Sequence, residues 1–205
     1  FGTAADISAV STGSQILQTI TMVICGLAMG VTVLLGQRIG EGRGDEGGRA
    51  VGAGIFFFAI LSVLVTVGML ALAPQMSALM RAPEEAFAGT VEYVRICSVG
   101  MLFIVAYNLL GGIFRGIGDS RMPLITVAIA CVLNIGGDLL LVGPCGMGVA
   151  GAAIATVFAQ AVSVLLSLAI IRRRKLPFTM TRRDIRWDGA ILRRVLAIGV
   201  PVAAQ

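Results

Sequence analysis

The sequence predicts an all-α, polytopic transmembrane helix bundle with five complete spans and the start of a sixth. Three observations carry this reading. Hydrophobic residues make up 57% of the 205 positions and charged residues only 13%, against about 45–50% and about 25% in soluble domains. Mean hydropathy is +0.95, more apolar surface than a soluble fold of this length can hide, so a bilayer is the natural solvent. The basic residues lie between the apolar runs, as membrane topology requires.

The five spans run over Ala9–Gly36, Val51–Ala73, Tyr93–Phe114, Pro123–Gly143 and Val149–Ile171. Each is long enough to cross about 30 Å of hydrocarbon at about 1.5 Å per residue. A sixth run opens near Val195. Pro74, Pro83, Pro123, Pro144 and Pro177 fall at span ends or in loops, where helices stop. Pro201 lies inside the sixth run and predicts a kink there. The chain opens at Phe1 without Met or a basic leader and closes at Gln205 inside an apolar run, so a fragment of a longer protein is expected.

Charge sets the orientation. Arg38, Arg43 and Arg49 follow span one, Arg115 and Arg121 follow span three, and nine Lys and Arg crowd residues 172–194 after span five. The connection after span two has Arg81, with Arg95 just beyond, against Glu84, Glu85 and Glu92; the connection after span four has no charge. By the positive-inside rule Phe1 is external and 172–194 cytoplasmic, in the cell inner membrane. The 172–194 linker, with Trp187 among charges, fits either a short interfacial amphipathic helix or a solvated segment. Small-xxx-small pairs at Gly26/Gly30, Gly48/Gly52 and Gly112/Gly116 predict close helix packing.

Several chemistries are excluded. There is no His, so His-based triads and His metal sites are absent. The net charge of +5 belongs to topology and not to nucleic-acid binding. Cys25, Cys97, Cys131 and Cys145 form no C-x-x-C pair and read as small buried hydrophobes. The glycine-rich Gly36–Gly44 stretch resembles a phosphate loop, but it follows a membrane span and lacks the strand that a nucleotide fold needs. No paired carboxylates, Ser dyad or metal cluster points to an enzyme, and no cofactor is expected.

Asp138 is the one acidic residue well inside a span. A carboxylate at a helix centre costs about 2.5–3.5 kcal/mol on insertion scales, so it normally has a partner and a function. Asn134 precedes it by four residues and shares its helix face. Counting depth from the short connection after span four places Thr156 of span five at a similar height, with Gln160 one turn further on. Asn108 of span three, beside Tyr107, is deeper and closes the pocket from below. Burial disfavours the charged carboxylate while amide and hydroxyl donors favour it, so such a group can exchange a proton; the same oxygens suit a hard cation such as Na⁺. The alternative is polar glue between helices, which is the favoured reading for Thr21, Thr32, Gln18 and Tyr107 taken singly.

Four stretches carry a family resemblance: Gly36-Gln-Arg-Ile-Gly40, the run from Gly112 to Pro123 (GIFRGIGDSRMP), Asn134-x-x-x-Asp138, and Gly148 to Thr156 (GVAGAAIAT). With the closing Gly199-Val-Pro201 they resemble the first half of a multidrug and toxic compound extrusion (MATE) transporter of the NorM and DinF kind. The resemblance implies a two-lobe protein. Residues 1–171 would supply helices two to six of the first lobe, 172–194 the inter-lobe linker, and 195–205 the start of helix seven. It implies a secondary antiporter, otherwise a monomer, that exports small organic, often cationic, compounds against H⁺ or Na⁺ entry. The coupling role falls on Asn108, Asn134, Asp138, Thr156 and the backbone carbonyl of Ala152. The family's first-helix aspartate and second lobe are missing, so the fragment alone is not expected to transport. A lipid-linked oligosaccharide flippase of the same superfamily is the alternative.

Overall fold

A computed structural model describes residues 3–173 and 182–204. The order is α1 (Ala4–Gly40), α2 (Gly44–Leu79), α3 (Glu84–Val99), α4 (Met101–Gly116), α5 (Arg121–Val142), α6 (Gly148–Arg173), a 3-10 turn (Arg182–Asp184) and α7 (Gly189–Ala203). Four helices are long and apolar enough to cross a membrane, and α3 with α4 makes a fifth, bent span. The expected Phe1, and Arg174, Lys175 and Pro177 of the linker, lie outside the described residues.

Local chemistry sets the ends. Thr3 caps α1 in a capping box with Asp6: its hydroxyl accepts from the Asp6 N–H at 3.2 Å, and the Asp6 carboxylate accepts from the Thr3 N–H at 3.0 Å. Gly42, at φ +75°, turns the chain from α1 into α2 where a side chain would be strained. Arg38 and Arg43 pair with Glu41 and Glu46 across this turn. The glycine-rich stretch is thus a helix end and a tight turn. Asp188 caps α7 by accepting from the Ala190 and Ile191 N–H groups.

Two expectations are corrected. Pro74 lies inside α2, which continues to Leu79. Proline removes one ladder hydrogen bond but does not end a helix whose remaining turns are intact. The span expected over Tyr93–Phe114 starts at Glu84 and bends by 58° at Gly100. Here α6 supplies the reason: a Cβ on Gly100 would stand 2.5 Å from both Val157 methyl carbons, so Val157 occupies the space a side chain would need. α7 opens at Gly189, earlier than Val195, and takes Ala190, Ile191 and Leu192 into its first turns. Of the cysteines only Cys97 is buried; Cys131 and Cys145 are exposed.

The packing at Gly100 yields a prediction. Gly100→Ala should destabilise the folded protein by about 1–3 kcal/mol through overpacking. Because the obstruction is a side chain, Val157→Ala should recover most of that loss, read as thermal stability in detergent.

Three close approaches fix which ends share a side. Gly89 near the start of α3 lies against Ala9 and Val149, at the starts of α1 and α6. Gly36 and Gly116, at the ends of α1 and α4, approach each other, and Gly52 of α2 meets the Asp184 carbonyl. One end of the bundle therefore gathers the Arg-rich turns, and the other carries the 80–83 and 143–147 turns. The core lies around α1, with α5 at the edge: its buried residues are Met122, Thr126 and Ala130, while Leu124, Val132 and Leu140 face outward.

Candidate functional site

A cavity of 670 Å³ opens between α1, α3, α4, α5 and α6. The bend at Gly100 matters here, because it lets both halves of the broken span reach the cavity: Tyr93 from α3 and Tyr107 and Asn108 from α4. Asn134 and Asp138 enter from α5, and Ala152, Thr156 and Gln160 from α6.

Within it the polar groups form a connected chain. Asn134 Nδ2 donates to Thr156 Oγ1 at 3.0 Å, and Thr156 Oγ1 donates to the Ala152 carbonyl at 3.1 Å. A second amide orientation is better satisfied. With the amide turned over, Nδ2 donates to Asp138 Oδ2 at 3.3 Å, and the amide oxygen accepts from the Thr156 N–H at 3.2 Å and from its hydroxyl at 3.0 Å. Oxygen and nitrogen of an amide are told apart by their partners. Asp138 Oδ1 and Gln160 Oε1 are buried and accept no hydrogen bond from the described residues. Such buried acceptors are costly when left without a donor or a cation.

All five residues singled out from the sequence therefore line one cavity. Asp138, Asn134, Thr156 and the Ala152 carbonyl touch in series. Asn108 stands apart from that series, since its Nδ2 donates to Ile104 O of its own helix at 2.8 Å. Two further residues join. Ser14 Oγ of α1 donates to the Tyr93 hydroxyl at 3.1 Å. A Cβ on Gly13 would meet the Tyr93 ring at 2.5 Å, so Gly13 makes the room in which the ring lies. In the sequence Tyr93 stands at the start of the expected third span. With α3 starting at Glu84, it lies nine residues, about 14 Å, along the helix. Only the earlier helix start could have shown this, and Glu84, Glu85 and Glu92 conceal that start in a hydropathy reading.

The lining sets a few oxygen-bearing side chains among apolar ones and includes no Lys or Arg. Among the described residues, no cluster of three His, Cys, Asp or Glu forms a metal site of the transition-metal kind. What remains is one carboxylate with amide, hydroxyl and carbonyl oxygens, a donor set suited to a proton or a hard monovalent cation.

Comparison with known proteins agrees with this architecture. The MatE family model matches residues 3–140. The chain is 30% identical over 207 residues to the probable multidrug resistance protein YpnP of Bacillus subtilis, covering 98% of this chain and 45% of that protein. It is 25% identical to the probable multidrug resistance protein NorM of Thermotoga maritima, covering 97% and 43%. Two solved structures of a multidrug resistance MATE family transporter of the MOP superfamily superpose closely. The inward-facing one has TM-score 0.89 at 29% identity, over 97% of this chain and 46% of that chain. The outward-facing one has TM-score 0.90 at 27% identity, over 98% and 45%. The chain thus spans about half the length of the relatives it matches. On the family match, the related sequences and the close superposition, this multi-pass membrane chain belongs to the MatE family, whose members are transporters and not enzymes.

Proposed function

We propose that this chain supplies the ion-coupling lobe of a secondary antiporter of the inner membrane, which exports organic, often cationic, compounds in exchange for H⁺ or Na⁺. The observation that carries the reading is the Asp138 carboxylate: one oxygen buried without a donor, the other facing Asn134, inside a cavity that holds no basic side chain. The names of the relatives support drug export by the whole protein. The basic end of the bundle is the cytoplasmic one by the positive-inside rule, so the cavity lies toward the outer half.

With Asp138 charged, Asn134 Nδ2 donates to its Oδ2 and the Thr156 hydroxyl donates to the amide oxygen. A hydroxyl has one proton to give, so it then leaves the Ala152 carbonyl. Asp138 Oδ1 and that carbonyl are then both open to a cation. Proton and cation thereby compete for one set of oxygens.

The full-length protein in proteoliposomes tests this with a fluorescent organic cation as substrate and the proton and sodium gradients imposed separately. Export should require at least one gradient and collapse when it is dissipated. Export that ignores both would end the antiporter reading. The flippase alternative predicts basic residues in the missing half, and the described cavity offers it none.

A further inference from the structure

The segment after α6 is laid against one stripe of α2. Arg49, Gly52 and Phe56 recur at three and seven residues, so they share a helix face over about 10 Å. A Cβ on Gly52 would overlap the Asp184 carbonyl, which fixes the 3-10 turn against α2. Phe56 then meets the Trp187 ring edge-on, with centroids 6.4 Å apart and planes at 77°. Trp187 is nonetheless 61% exposed and Ile185 38% exposed. An indole held this way beside a membrane helix is placed as residues of the aromatic belt are.

Arginines surround this anchor. Arg182, Arg183, Arg186, Arg193 and Arg194 are exposed. Arg49 of α2 and Arg194 of α7 face a cleft of 240 Å³ that also has Arg38, Glu46, Asp188 and Ile191 in its walls. The nearby acids are already engaged. Glu46 pairs with Arg38 and Arg43, Asp188 caps α7, and Asp184 has its own interaction. Among the described residues none pairs with Arg49, Arg182, Arg183, Arg186 or Arg194. Unpaired guanidinium groups above an interfacial Trp match a phosphate above acyl chains.

We propose that the Arg182–Asp188 segment, the Arg49–Phe56 stripe of α2 and the first two turns of α7 hold the phosphate headgroup of an anionic phospholipid of the cytoplasmic leaflet, with Trp187 as the anchor in the acyl boundary. This rests on the orientation stated under Proposed function. It ties the connection between the lobes to the membrane surface at one defined place.

The test uses the full-length protein in vesicles of phosphatidylcholine with a minor fraction of phosphatidylglycerol, extracted gently and weighed by native mass spectrometry. Phosphatidylglycerol should stay on the protein in excess over its share, and Arg183→Gln, Arg186→Gln and Arg194→Gln should each cut the excess about fivefold. Arg115→Gln with Arg121→Gln, at the same end of the bundle, should leave it unchanged. Absence of enrichment, or equal loss in that control pair, overturns the site; displacement by millimolar inorganic phosphate overturns its assignment to lipid. Orientation is read separately with an impermeant maleimide on Arg183→Cys. That thiol should react in inverted vesicles only, with Cys145 reacting from the opposite side; reaction of both from one side would overturn the orientation alone.

Discussion

Asp138→Asn in the full-length protein should reduce gradient-driven export to background, a loss of roughly 100-fold or more, while the protein folds at least as well as the wild type. The two halves of this expectation have different causes. Asn matches Asp in shape and still reaches Asn134, so the contacts of α5 with α6 are retained. A neutral amide within the membrane also costs less to bury than a charged carboxylate. Stability should therefore hold or rise. Function should fail because an amide cannot take up and release a proton, and it contributes no charge to a bound cation. A buried ion deprived of its counter-charge loses several kcal/mol of interaction, and each 1.4 kcal/mol is about tenfold in occupancy. The checks are thermal stability in detergent beside export under each gradient. A variant that exports normally under either gradient would show that the carboxylate only ties helices together.

How much of this was legible in the sequence depended on which physical signal was involved. Hydropathy and charge alternation mark the spans because the bilayer imposes them on every helix alike. The spacing of Asn134 and Asp138 and the depth count for Thr156 follow from a rise and a period that no tertiary contact alters, and Asn134 does lie 3.0 Å from Thr156. The bend at Gly100 was not legible. It depends on Val157, 57 positions away and on another helix, and one glycine among 27 gives no hint of which neighbour it admits. Tyr93 was hidden for a related reason: three glutamates dilute the first turns of α3, which conceals its start at Glu84 and puts Tyr93 at the edge of the expected span. Pro74 shows the opposite error, where a local rule about helix ends yielded to the packing around an otherwise intact α2.

Gly30→Val should be among the most damaging substitutions in the chain, costing about 3 kcal/mol, and no side-chain truncation should repair it. α1 and α7 run antiparallel and touch backbone to backbone. A Cβ on Gly30 would overlap the Val195 carbonyl oxygen, one on Gly26 would lie 2.5 Å from the Ala203 Cα, and one on Gly199 would lie 2.9 Å from the Leu27 Cα. Val195, Gly199 and Ala203 recur every four residues and so present one face to the Gly26–Gly30 step. Close approach of this kind is what small residues permit between membrane helices, where dispersion contacts replace the hydrophobic effect as the driving force. The obstruction differs from that at Gly100 in a way an experiment can read. Val157→Ala clears the space beside Gly100 because methyl groups fill it, whereas the atom facing Gly30 belongs to the peptide of residue 195. Val195→Ala should therefore leave Gly30→Val as unstable as before, measured as apparent melting temperature. Recovery in that double variant would mean that α7 meets α1 through side chains, and that the two backbones stand further apart than this packing requires.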